Sequence, residues 1–194
     1  FGKTIANKNV TLNIHEGEIL SLLGENGSGK TTALRAAAGL LAPYSGEIAL
    51  FGKTQRAYRA GELYDRCVAM LPQDVQTLLL RDSVREELKD AGYREEERMP
   101  FGLARLADRH PYDLSGGEQQ LLALAKVLAV KPRLPLLDEP TNGLDPQWKR
   151  RMGDTLKKLK EQGITLLVVT HDTEFAAEVA DRCAMLFRGS LISA

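Results

Sequence analysis

Residues 24 to 32 read Gly-Glu-Asn-Gly-Ser-Gly-Lys-Thr-Thr, and no other stretch constrains the chain as tightly. They fit the pattern G-x-x-x-x-G-K-[ST], with Gly24, Gly29, Lys30 and Thr31 in register. Before them, Glu18 to Leu23 reads as a short apolar strand. After them, Thr32 to Ala38 reads as a helix that Gly39 is placed to end. Strand, glycine loop and helix form the setting this pattern needs. Its small residues, Asn26, Gly27 and Ser28 among them, let successive backbone N–H groups curl around a polyphosphate. The helix start adds its partial positive charge. Lys30 carries a full charge toward the β- and γ-phosphates, and the Thr31 hydroxyl suits Mg²⁺. A glycine-rich turn ending by chance in Lys-Thr is the competing reading, and the flanks disfavour it. The chain is expected to bind a nucleoside triphosphate.

Bulk properties narrow the rest. At 194 residues and 43% hydrophobic, the chain suits one domain with a sizeable core, or a core domain with a small appended lobe. Lys plus Arg and Asp plus Glu are 26 each, so net charge does not argue for nucleic acid or an anionic membrane. Cys67 and Cys183 have no metal-type spacing and read as small core residues in a reducing compartment. The longest apolar run, Ile164 to Val169, has the length of a buried strand and falls far short of the roughly 20 residues of a membrane span. No signal peptide is visible. A soluble, cytoplasmic chain is expected, with any membrane tie made through a partner. The opening Phe1-Gly2-Lys3 and the closing Leu191-Ile192-Ser193-Ala194 read as cut ends of a longer polypeptide, with a first strand expected before Phe1.

Val10, Leu12 and Ile14 alternate with polar residues, which predicts a half-exposed strand. Further strands are predicted at 19–23, 47–51, 67–71, 134–138, 164–170 and 183–187, and helices at 30–39, 83–92, 115–130, 146–162 and 172–181. Ser83-x-x-Glu86 and Ser115-x-x-Glu118 fit the capping box. Asp145-Pro146 supplies an N-cap and a first-turn proline, with Gly163 at the stop. Alternating elements predict an α/β fold with a mostly parallel sheet. Residues 82–112, with weak strand signals and the charged run Arg94 to Arg98, read as a small helical lobe inserted in that single domain.

A second motif sorts among nucleotide-binding chains. Residues 134–139, Leu-Pro-Leu-Leu-Asp-Glu, form a mostly apolar strand that delivers two carboxylates at its end. Asp138 is placed to hold Mg²⁺ through water, and Glu139 to orient the water that attacks the γ-phosphate. An acidic pair that merely caps a helix is the competing reading; the loop about a hundred residues upstream favours the catalytic one. Leu114-Ser115-Gly116-Gly117-Glu118-Gln119-Gln120 then resembles the signature of ATP-binding cassette (ABC) proteins. Gln73 resembles that family's Q-loop glutamine, Gly143-Leu144-Asp145 its D-loop, and His171 its switch histidine. Phe1 stands where the family stacks an aromatic on adenine. Taken singly, Gln73 and His171 carry little information, and Ser115 with Glu118 is fully explained as a helix cap.

The resemblance spans essentially the whole chain and implies a P-loop NTPase core with an antiparallel β edge. It implies two cassettes, head to tail, enclosing two ATP molecules. Lys30 and the loop amides would hold the phosphates from one side, and Ser115, Gly116, Gly117 and Glu118 would approach from the other chain. Thr31, Gln73 and Asp138 would serve Mg²⁺, Glu139 would position water, and His171 would support the γ-phosphate. Three departures stand out: Glu118 where many relatives have Gln, Leu121 where Arg is frequent, and Pro135 inside the acidic strand, expected at a strand start or bulge. The segments 78–88 and 170–182 resemble energy-coupling factor importers of vitamins or metal ions. That resemblance implies a transmembrane partner, a second cassette (identical, paralogous or fused) and a seat on the inner face of the membrane. The alternative is a soluble ABC ATPase acting on ribosomes or DNA; the neutral charge disfavours it, and no direct nucleic-acid contact is expected.

Overall fold

The computed structural model describes residues 5–94 and 99–193. Its central sheet is built from β1 (Ile19–Leu23), β4 (Val68–Leu71), β5 (Leu134–Asp138), β6 (Leu166–Thr170), β7 (Arg182–Phe187) and β8 (Ser190–Ser193). The order is β4-β5-β6-β1-β7-β8, parallel throughout except where β8 runs back along β7. A separate two-stranded ribbon pairs β2 (Ala49–Leu50) with β3 (Lys53–Thr54). The expected mostly parallel α/β sheet with an antiparallel edge is what forms.

Side chains that alternate along each strand sort into two cores. Ile19, Leu137, Leu166 and Val168 face α3 (Gly116–Ala129), α4 (Pro146–Glu161) and α5 (Thr173–Val179), meeting Leu121, Leu124, Met152, Leu156 and Phe175. Leu20, Leu22, Leu136, Leu167 and Val169 face the other way, onto Leu34 and Ala38 at α1 (Lys30–Ala37) and just beyond it. With both faces covered, β1, β5 and β6 are buried along their whole length, as their mostly apolar sequences require. A third cluster joins α2 (Val84–Asp90) to α3 through Val84, Leu88, Leu103, Leu106 and Leu122.

Several expectations need correction. Residues 10–14 form no strand; Val10, Leu12 and Ile14 do alternate inward onto the second core, but no ladder partner lies beside them among the described residues. Strand 47–51 shrinks to two residues. Cys183 is exposed, because the outward face of β7 carries Cys183, Met185 and Phe187 without a covering element among the described residues, and Cys67, just before β4, is only half-buried against the second core. Ser83 caps α2 one way only, accepting from the Glu86 N–H at 3.2 Å. Pro135 is neither at the strand's first residue nor at a bulge. Leu134 N–H donates toward β4, to Cys67 O at 3.0 Å, so the next residue's nitrogen faces β6, whose pairing begins only at Leu136. The missing donor therefore costs no ladder bond. The run 95–98 lies outside the described residues.

Candidate nucleotide site at the carboxyl edge of the sheet

Three strands end side by side and aim their next residues at one place. β1 runs into loop 24–29, β5 ends on Asp138-Glu139, and β6 ends on Thr170-His171. This is the edge where open parallel sheets hold ligands. Space at the loop is tight: a Cβ on Gly24 would stand 2.3 Å from Leu186 O and 2.6 Å from Ser28 Oγ. Only glycine lets the chain turn there against the end of β7.

Lys30 folds back over its own loop. Its ammonium donates to Gly24 O at 2.7 Å and Glu25 O at 3.0 Å and stands 3.8 Å from Glu139 Oε1. Thr31 Oγ1 donates to Asp138 Oδ1 at 3.1 Å, linking the start of α1 to the end of β5. Burial pushes the Asp138 carboxyl above its ordinary range, opposed by that hydrogen bond and reinforced by the neighbouring Glu139 charge.

Glu139 is buried and held from one side. Its Oε2 accepts from Thr170 Oγ1 at 2.9 Å and from the His171 backbone N–H at 3.2 Å, and His171 Nδ1 stands 2.9 Å away. Its Oε1 is buried and accepts no hydrogen bond from a described residue, with the Lys30 ammonium 3.8 Å away. Thr170 was not singled out from sequence. Its hydroxyl serves two neighbours, donating to Glu139 and accepting from Asp172 N–H at 3.1 Å. A polar residue closing an otherwise apolar strand was the available signal.

Gln73 stands on the same edge, two residues beyond Leu71, which pairs with Leu137. It is exposed and makes no side-chain hydrogen bond to a described residue. The start of α3 is elsewhere. Among the described residues, no hydrogen bond or ion pair joins Ser115, Gly116, Gly117 or Glu118 to loop 24–31. Ser115 and Gly116 are exposed, and the predicted capping box is complete. A Cβ on Gly117 would fall 2.2 Å from the Trp148 ring, so glycine is the only residue that lets α4 pack there. Asn26, Gly27, Ser28, Gly29 and Thr32 lie on or beside the loop as expected; Phe1 lies outside the described residues.

The donor set fits a triphosphate with a hard cation. Ser28 Oγ is buried without a hydrogen-bond partner among the described residues, as an atom awaiting a ligand oxygen would be. A hydroxyl and a carboxylate in contact suit Mg²⁺, which binds through one or two protein oxygens plus phosphates and water. Residues 7–142 match the family model described as ABC transporter. The chain belongs to the ABC transporter family. A putative ABC transporter ATP-binding protein of Bacillus thuringiensis subsp. konkukian is 39% identical over 195 residues, covering 95% of this chain and 35% of that one. The chain thus spans about a third of that relative's length. Its fold matches a post-hydrolysis dimer of an ATP-binding cassette bound to ADP and Pi, with TM-score 0.83, 31% identity, and 99% and 91% of the two chains covered. It also matches cbiO1 of Clostridium perfringens, part of the ABC transporter complex cbiONQ, with TM-score 0.85, 28% identity, and 96% and 80% covered. No helix among the described residues is long and apolar enough to cross a membrane.

Proposed function

We propose that this ABC cassette hydrolyses ATP in a site completed by a second cassette and thereby energises a membrane importer. The observation that carries the reading is the division of the motifs. Lys30, Thr31, Asp138, Glu139 and His171 converge at one edge of the sheet, while Ser115 and Gly116, exposed at the start of α3, make no hydrogen bond or ion pair to them among the described residues. A site whose halves cannot meet within one chain is met by a head-to-tail pair.

In this reading Lys30 and the loop amides hold the phosphates. Asp138 and Thr31 would hold Mg²⁺, with Gln73 reaching it from the neighbouring strand end; bound there, the ion offsets charge on the phosphate oxygens. Glu139 orients the attacking water through the oxygen its partners leave free, and Thr170 and His171 fix the other oxygen. Excluding bulk water on closure strengthens each of these contacts. ATP bridging two chains closes the pair and its cleavage releases it, a two-state switch driven by differential affinity.

The transport class we propose is the energy-coupling factor type, importing a vitamin or metal ion, with residues 82–112 as the helical lobe that docks on the transmembrane subunit. Support comes from the segments 78–88 and 170–182 and from the likeness to cbiO1. The cassette would then sit in the cytoplasm, on the inner face of the membrane through its partner. Affinity capture from gently solubilised membranes tests this. An integral membrane subunit supports the importer; ribosomes or nucleic acid in its place would favour a soluble ATP-driven factor.

A further inference from the structure

The start of α3 has a charged neighbour that capping does not require. Glu118 Oε2 accepts from Ser115 N–H at 3.1 Å and Ser115 Oγ at 2.9 Å, which satisfies the cap. The other oxygen, Oε1, accepts from Arg105 Nη2 at 2.9 Å. Arg105 comes from a different element, the 3₁₀ stretch Pro100–Leu106. Its side chain is 62% exposed against 14% for Glu118, so the carboxylate is the covered member of a surface pair. Such pairs add little to folding stability.

Their effect here is electrostatic. A helix start draws anions through its free N–H groups, and a glutamate at the third position spends part of that attraction on its own charge. Ser115 and Gly116 are exposed, and among the described residues nothing outside the helix's own turn stands within 4 Å of where a Gly116 Cβ would be, so this end is open to an incoming group. A phosphate arriving there meets the Glu118 carboxylate well inside a Debye length.

We propose that Arg105 is a positioning residue that cancels the Glu118 charge, so that an acidic signature can receive the γ-phosphate of ATP held by a second cassette. The inference rests on the head-to-tail reading above. The guanidinium binds the oxygen the cap leaves over, so box and charge compensation coexist. A neutral glutamine at this position would cap the helix equally and need no such partner.

The test is ATP-driven dimerisation of the full chain with Mg²⁺, followed by sedimentation velocity in a Glu139→Gln background. Arg105→Ala raises the ATP concentration for half-maximal dimer by roughly five- to tenfold at low salt, less at high salt. Arg105→Lys retains most of the wild-type response. Adding Glu118→Gln to Arg105→Ala abolishes the increase, a rescue that a purely structural arginine would not give. An unchanged ATP requirement for Arg105→Ala, or an equal increase in the Glu118→Gln background, overturns the assignment while a dimer that still forms leaves the head-to-tail reading standing. If no variant, the parent included, dimerises with ATP, that reading falls and this one with it.

Discussion

Two helices in this molecule begin on glycine-rich turns, and they are finished in opposite ways. At α1 the cap is Gly29, in the left-handed region at φ 103, with no capping side-chain hydrogen bond among the described residues. At α3 the cap is Ser115, whose hydroxyl accepts the Glu118 N–H while Glu118 reaches back to the Ser115 N–H. An uncapped start leaves several donors without a partner inside the helix. At α1 those donors lie beside Lys30 and Thr31, whose side chains reach Glu139 and Asp138; at α3 the chain satisfies its own end, with Ser115 and Gly116 exposed. The first helix start is therefore shaped to need a ligand, and the second is stable without one. In the head-to-tail pair proposed above, affinity would then lie in one chain and closure in the other.

The largest effect expected along this divide is at Glu139. Glu139→Gln keeps the hydrogen bonds to Oε2 possible but removes the charge beside Lys30, so turnover falls about 10³-fold with ATP binding retained. Phosphate release and a nucleotide titration, run side by side, separate the two; wild-type turnover would remove Glu139 from the chemistry. Lys30→Ala acts on the binding half instead. Losing a charged donor lowers ATP affinity about 10- to 100-fold, and an unchanged titration would show that the loop amides suffice alone.

On the signature side, the effect should appear in the fold before it appears in the chemistry. Gly117→Ala places a methyl 2.2 Å from the Trp148 ring, an overpacking that costs about 1–3 kcal/mol. A shift of the urea midpoint that vanishes in a Trp148→Ala background would locate the cause; no shift would mean that α4 can yield.

The smallest effect is on pH. Asp181 lies below the ordinary carboxylate range because it accepts from the Ile19 N–H at 2.9 Å and from Lys160, anchoring the start of β1. Its folded pKa is depressed, so its contribution is present above the unfolded value and is lost as pH falls through the folded one. The stability advantage of wild type over Asp181→Asn should therefore shrink in acid. A difference that stays flat from neutral pH to below 4 would contradict it.

What could be read in the sequence was what local chemistry decides. Loop 24–31, the buried strands β1, β5 and β6, and the Ser115 and Asp145 caps depend on neighbours within a few residues. All of them formed. Residues 10–14 mark the limit: alternation foretells which side chains turn inward, but a strand also needs a partner, and none stands beside it among the described residues. β8 is not legible in sequence because four residues after a tight turn give too little pattern, and the exposure of Cys183 is not, because only the fold reveals which face of β7 lacks cover among the described residues. In the site, the residue types were legible but their contacts were not. Nothing local in the sequence links Thr170 to Glu139, Arg105 to Glu118, or Gly117 to Trp148.

Glu139 also occupies the left-handed backbone region, at φ 49, immediately after β5. A side chain with a Cβ is uphill there by about 1–2 kcal/mol, a penalty glycine escapes and asparagine softens. The position thus sets two selective pressures against each other. Laboratory evolution for heat resistance alone would drift it toward glycine or asparagine and discard the carboxylate, whereas selection for turnover must keep an acid on an uncomfortable backbone. Variants recovered from a thermal screen should accordingly be sequenced at this codon before any gain in robustness is taken as progress.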